Sequence, residues 1–142
     1  MARLRKKTIH VVSFIIVTML FLCYFAPVVS AEGSLYISNY GNSIIAGNNG
    51  NITIYFDILG TDTMDVIGAE SVAIYENGTY KKTYSYTSTS GMMAYDTCFH
   101  LSSVTYSGTV GKNYYAYVTY KAGKGGDWDN RCLQTYTVTA KN

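Results

Sequence analysis

The sequence predicts an all-β protein built as an antiparallel β-sandwich. Three observations carry that expectation. Two stretches, Asn51 to Leu59 and Lys112 to Lys121, alternate with a period of two, which sends successive side chains to opposite faces of a sheet. Tyrosine is used 15 times, alongside many Thr, Val and Ile residues that suit a pleated surface, and 13 glycines punctuate them. Beyond the N-terminus no window keeps a 3.6-residue apolar period long enough for a good helix.

The chain opens on a segment of another kind. Arg3, Arg5, Lys6 and Lys7 precede an apolar run from Ile9 to Phe25, and Pro27 and Val29-Ser30-Ala31 follow. A basic head, an apolar middle and small residues at the end mark a secretory signal peptide over residues 1–31, cut after Ala31. The rival reading is a membrane anchor left uncleaved, since about 20 apolar residues span a bilayer. In that case the protein meets a membrane only through this leader. The helix-breaking Pro27 and the fitting cut site favour cleavage and a secreted, extracellular product. Leu22 stands where a lipid anchor on Cys23 would need a small residue.

Export changes the charge. Residues 32–142 hold seven Lys and Arg against nine Asp and Glu, a balance of −2, whereas the whole chain carries +2. The apparent basicity belongs to the leader. It gives no support for nucleic-acid binding, which wants a clustered basic face.

Residues 32–142 read as one domain. Leu35 to Ser38 and Ser43 to Ala46 are expected as a broken first strand. Gly47-Asn48-Asn49-Gly50 is a turn, because Gly and Asn tolerate positive φ. In the next strand Ile52, Ile54, Phe56 and Ile58 line one face. Gly60 to Ala69 reads as a long connection in which Met64, Val66 and Ile67 plug the end of the core or form a helical turn. Ser71 to Glu76 is a strand with Val72 and Ile74 inward. Asn77-Gly78 is the strongest hairpin signal in the chain. Thr79 to Thr87 pairs back, with Tyr80, Tyr84 and Tyr86 on one face. Met92 to Tyr95 is short and ambiguous. Phe99 to Ser107 is a strand whose apolar phases disagree, which suggests a bulge at Ser102-Ser103. Lys112 to Lys121 sends Tyr114, Ala116, Val118 and Tyr120 inward and Tyr115, Tyr117 and Thr119 outward. Gly123 to Asn130 is a loop. Arg131 to Ala140 is the last strand, with Cys132, Gln134, Tyr136 and Val138 on one face.

Seven or eight short strands at that spacing suggest an immunoglobulin- or fibronectin-like sandwich. Tyr114 falls where such folds carry a corner tyrosine. No Trp lies in the third strand, so the likeness is one of architecture.

Residues 32–142 contain two cysteines, Cys98 and Cys132. An exported chain permits a disulfide between them, closing a loop around the Lys112–Lys121 strand. Such a bond contributes about 3–4 kcal/mol on the chain-entropy estimate; two buried free thiols are the alternative.

Catalytic machinery is sparse. His100 is the sole histidine after the leader, and a serine triad or a zinc site asks for more. No catalytic residue, cofactor site or metal ligand set is assigned, and the protein is read as a non-enzyme. The grouping of interest is acidic and aromatic. In a sandwich, the loop after the second strand and the loop before the last meet at one end. They carry Asp62, Asp65 and Glu70 on one side, and Asp127, Trp128, Asp129 and Asn130 on the other. Clustered oxygens suit Ca2+, and Trp128 is suited to stacking on a sugar or a partner's aromatic ring. The same residues are also ordinary turn formers, and no EF-hand spacing is present. The tyrosine faces, Tyr80/Tyr84/Tyr86 and Tyr115/Tyr117, are a second contact surface or plain cross-strand pairs.

The stretches T-M-D-V-I-G-A at Thr63 to Ala69 and V-T-Y-S-G-T-V-G-K-N-Y-Y-A-Y-V-T-Y at Val104 to Tyr120 resemble segments of small secreted proteins of Firmicutes. So does the T-Y-T-V-T-A ending. The resemblance implies a signal peptide, one β-rich domain and a Gram-positive source. It carries no catalytic residue. The functional expectation is a non-enzymatic extracellular binding module with a partner outside the cell or on a cell surface. The alternative is a small bacteriocin-like effector acting on other cells.

Overall fold

The computed structural model describes residues 33–142. The leader, its cut after Ala31 and Cys23 lie outside the described residues. Nine strands are present among the described residues: β1 (Ile37–Ala46), β2 (Asn51–Met64), β3 (Val66–Glu76), β4 (Thr79–Ser85), β5 (Met93–Ala94), β6 (Thr97–Ser107), β7 (Asn113–Lys124), β8 (Asp127–Gln134) and β9 (Val138–Thr139). They form two antiparallel sheets. One has three strands in the order β1-β2-β6; the other has six, ordered β4-β3-β7-β8 with β5 added on β3 and β9 on β7. The fold is all-β, and the two sheets enclose one core as a sandwich does.

The two alternating stretches supply the centre of that core. Ile52, Ile54, Phe56 and Ile58 of β2 and Tyr114, Ala116, Val118 and Tyr120 of β7 are all fully buried. Burying the four β2 side chains contributes about 6–12 kcal/mol before chain entropy is subtracted. Val72 and Ile74 of β3 join them. Tyr120 crosses the core, and its hydroxyl donates to the Gly41 carbonyl of β1, so one side chain ties the two sheets together. Tyr114, buried at the start of β7, bonds at both sides of its hydroxyl. Its hydroxyl accepts from the Thr109 amide at 2.7 Å and donates to the Glu76 carboxylate.

The turns follow their residues. Asn77 and Gly78 have φ of 47° and 82°, the paired positive values of a type I′ hairpin. Asn49 and Gly50 also turn with positive φ.

Several elements differ from expectation. The first strand is continuous, with an irregularity between Ile37 and Asn39. Gly60 to Ala69 is no loop: β2 runs on to Met64, Asp65 makes the bend, and β3 begins at Val66. Met64 and Ile67 do fill the end of the core. β6 keeps an unbroken register with β2 from Ser107 to Phe99, so there is no bulge at Ser102-Ser103. The phase conflict resolves because Val104 faces in while Phe99 and Leu101 lie exposed. Between Ile74 and Tyr75 the β3–β4 register shifts, which turns Tyr84 away from Tyr80. Tyr84 packs against the core, and its hydroxyl donates to the Thr105 carbonyl of β6 at 2.7 Å.

The last strand is split. Thr135, buried, accepts from the Ala116 amide through Oγ1 at 3.0 Å and donates to the Tyr136 carbonyl at 2.8 Å. Its hydroxyl thus takes a rung of the backbone ladder. The strand resumes as β9, and Tyr136 is left in solvent.

The Cys98–Cys132 disulfide is not formed; both are free, exposed thiols. Cys98 is on β6, an edge of the three-stranded sheet, and Cys132 is on β8, an edge of the other sheet. Cys132 pairs with Thr119 and shares its outward face, with Thr119 Oγ1 4.0 Å from the sulfur. A side chain that points off the far face of one sheet cannot reach the other without moving backbone.

Candidate functional site

The expected meeting of two chain segments at one end of the sandwich takes place, although both are strand ends rather than loops. β3 pairs with β7 from Val66 opposite Gly123, which brings the β2–β3 bend beside the β7–β8 hairpin. Gly125 and Gly126 close that hairpin with φ of 65° and 92°, a conformation L side chains rarely adopt. The carboxylate of Asp65 accepts from the Gly125 amide at 2.7 Å, so the bend holds the hairpin tip. Lys124 Nζ lies 2.8 Å from Asp62 Oδ2. That contact draws the Asp62 carboxyl below its ordinary range and raises the Lys124 ammonium. Farther along, Lys121 Nζ stands 3.6 Å from Glu70, which also accepts from Asn130 Nδ2 at 3.3 Å.

Asp129 has a different task. Its Oδ2 accepts from Ser34 Oγ at 2.6 Å and from the Tyr36 amide at 2.9 Å. These bonds, the Ser34 hydroxyl foremost, hold its carboxyl below the usual range. Asp129 therefore fastens the start of the domain to β8.

Asp62, Asp65, Glu70 and Asp129 are each spent on a partner of their own. Among the described residues no group of three or more His, Cys, Asp or Glu is gathered for a metal ion. The donor set that suggested Ca2+ is thus dispersed, and two of its oxygens are paired with lysines.

Trp128 stands in the middle of this end and is 56% exposed. Lys121 Nζ lies over its ring, 4.2 Å from the centroid. Across the hairpin its register partner is Gly123. Two shallow clefts of about 320 Å³ each adjoin the indole and share Gly126, Asp127 and Trp128. Asp65, Tyr86, Tyr95 and Lys121 line the first. Leu35, Tyr36 and Asp129 line the second. Both lie at the small end of the ~300–1,000 Å³ range of ligand sites.

Of the residues expected at this end, Asp65, Asp127, Trp128 and Asp129 line the two clefts, while Asp62 pairs with Lys124 and Asn130 with Glu70. The structure adds Tyr36, Tyr86, Tyr95 and Lys121. Tyr95, 64% exposed, sits on the two-residue connection between β5 and β6. Asp96 beside it takes φ of 53°, a costly value for a non-glycine residue. Lys121 was legible only as a strand end. Its place over Trp128 depends on the length of the hairpin.

The imidazole of His100 donates from Nε2 to the Gly91 carbonyl at 2.9 Å and packs 6.4 Å from the Phe56 ring. On the outer face of the larger sheet Tyr75 stacks on Tyr115, ring centroids 5.2 Å apart and planes within 3°. Tyr80 and Tyr117 meet Tyr75 edge-on. Tyr75 joins this cluster, whereas Tyr84 and Tyr86 leave it to pack against the core. The sequence matches no family model, and comparisons with curated proteins and with solved structures return no match.

Proposed function

We propose that this chain is an exported, non-enzymatic binding module that engages an extracellular partner through the Trp128 end of its sandwich. The observation that carries the reading is the indole itself. It is a large apolar group, held in place by Lys121 and left open to solvent between two clefts. An aromatic ring fixed before binding loses little freedom when a partner covers it. The basic head, apolar run and small Ala31 support export. The bonding of His100 to Gly91 supports a structural histidine and hence a non-catalytic role. A fibronectin-like connection is favoured by β7 pairing with both β3 and β8 while β2 pairs with β1 and β6, and by the corner hydroxyl of Tyr114.

The test has two parts. Protein recovered from culture medium should begin at Glu32. Labelled protein should be retained on whole bacterial cells or wall preparations, and Trp128→Ala should lose that retention while keeping the wild-type circular dichroism. Equal retention of wild type and Trp128→Ala would end the reading.

A further inference from the structure

We infer that the two clefts flanking Trp128 act as adjoining subsites for one linear, uncharged oligosaccharide, with the indole as the central platform. The inference rests on the binding-module reading above and names its ligand class. Each cleft is small and shallow, yet they share Gly126, Asp127 and Trp128, so an occupant of one runs directly into the other. A chain of repeating units fits that layout better than one compact molecule.

The lining chemistry selects the class. A pyranose ring offers an apolar C–H face and a rim of hydroxyls. The apolar face lies flat on an indole or phenol ring. Trp128 and Tyr95 present such rings with more than half their surface in solvent. The hydroxyls require both acceptors and donors. Asp127 supplies a carboxylate with no side-chain hydrogen bond or ion pair among the described residues, Asp65 a second, and the Tyr95 and Tyr86 phenols can donate as well as accept. Both signs of charge are present, with Lys121 and Lys124 beside Asp65 and Asp127. A polyanion would want lysines without the aspartates. A peptide added as a strand would pair along the β8 edge and would leave the exposed Trp128 and Tyr95 rings unused.

The platform is also closely packed at its base: a Cβ on Gly123 would stand 2.7 Å from the Trp128 Cβ, so β8 lies hard against β7 here. Asp129 fixes Tyr36, in the wall of the second cleft, by its amide. Little rearrangement is needed when a ligand arrives.

Trp128 is the only tryptophan of the chain, so its fluorescence reports this site alone. Purified protein is titrated with the dimer, tetramer and hexamer of three neutral series: β-glucan, mannan and N-acetylglucosamine oligomers. At least one series should give a saturable shift in emission. Affinity should rise about tenfold or more from dimer to hexamer as the second cleft fills. Tyr95→Ala should weaken the hexamer about tenfold with an unchanged melting temperature, and Trp128→Ala should abolish retention in a gel cast with the matching polysaccharide. No emission change with any series, or an affinity independent of length, overturns the inference. Cell retention separates the two readings. If it depends on Trp128, resists competition by every hexamer and vanishes when the cells are treated with protease, the partner is a protein; the binding module then stands and the carbohydrate site falls.

Discussion

Gly123 and Trp128 face each other across the β7–β8 hairpin, and the indole can lie where it does because Gly123 has no side chain. A Cβ there would meet the Asp127 carbonyl as well as the Trp128 Cβ at 2.7 Å. Gly123→Ala is therefore expected to push β8 away from β7 at its first rungs. The cost of such overpacking is about 1–3 kcal/mol. The emission of Trp128 should shift with it, because Lys121 no longer sits over the ring. Chemical denaturation followed by tryptophan fluorescence checks both. Wild-type stability together with wild-type emission would show that the hairpin gives way freely and that the close approach has no consequence.

Tyr114 closes the opposite end of the domain. Gly108 leaves room for its ring, whose Cζ would be 2.7 Å from a Cβ at that position. Its hydroxyl serves the Thr109 amide and the Glu76 carboxylate together. The donated bond holds Glu76 below the ordinary carboxylate range, with the Lys81 ammonium 2.9 Å away as the second cause. Tyr114→Phe keeps the ring and removes both bonds. It should cost about 1–3 kcal/mol, the range for stranding partly buried polar partners. A denaturation midpoint equal to that of wild type would mean that water replaces the hydroxyl without loss.

The centre of this fold was legible because alternation reports burial locally. Each residue of Ile52 to Ile58 and of Tyr114 to Tyr120 states its own face, and two sheets must close over such strands. What stayed hidden depends on register between strands. A one-residue shift exchanges every face beyond it. The shift at Tyr75 turned Tyr84 inward, and the Thr135 rung broke the phase between Cys132 and Val138. Cys132 lies outward beside Thr119, whereas Val138 packs against the core. At the site, the aspartates and Trp128 were visible as a cluster in sequence. Tyr95 was not, because its position rests on the left-handed backbone of Asp96, which no local pattern announces. Lys121 was hidden for a related reason: only the pairing of β7 with β8 puts it over the indole.

The free thiols make the third prediction. Cys98 and Cys132 are exposed and lie on edge strands of different sheets. Both should be alkylated in the folded protein without reductant, giving a doubly labelled species for residues 32–142. Cys98→Ser and Cys132→Ser should each change stability by no more than about 0.5 kcal/mol, as exposed substitutions usually do. Intact mass that gains two hydrogens on reduction, or a large loss of stability shared by both serine variants, would contradict the separation of the two sulfurs.

The fourth prediction concerns pH, and the two ends of the scale act through different groups. Asp129 is held below its ordinary value of 3.8 by the Ser34 hydroxyl and the Tyr36 amide. Its contribution is present in full above 3.8 and is lost as pH falls through the lower folded value. Glu76, lowered from 4.5 by Tyr114 and Lys81, acts in the same direction. At the alkaline end the signs reverse. Tyr120 and Tyr114 are raised above 10, chiefly because burial disfavours the phenolate. Their contribution is present below 10 and is lost as pH climbs from there through the folded values. The melting temperature should therefore hold level through neutral pH, fall in acid below about pH 4 and fall again above about pH 10. Asp129→Asn should shrink the acid limb and leave the alkaline one intact, whereas Tyr114→Phe should shrink the alkaline limb and, by removing the bond that lowers Glu76, part of the acid limb as well. Because Tyr120 bonds the Gly41 carbonyl across the core, its ionisation removes that bond and leaves a charge among buried side chains, so the alkaline transition is expected to be cooperative and to expose the domain as a whole. A gradual alkaline titration of every tyrosine with no loss of β-sheet dichroism would show that the Tyr120 tie does not hold the sheets together.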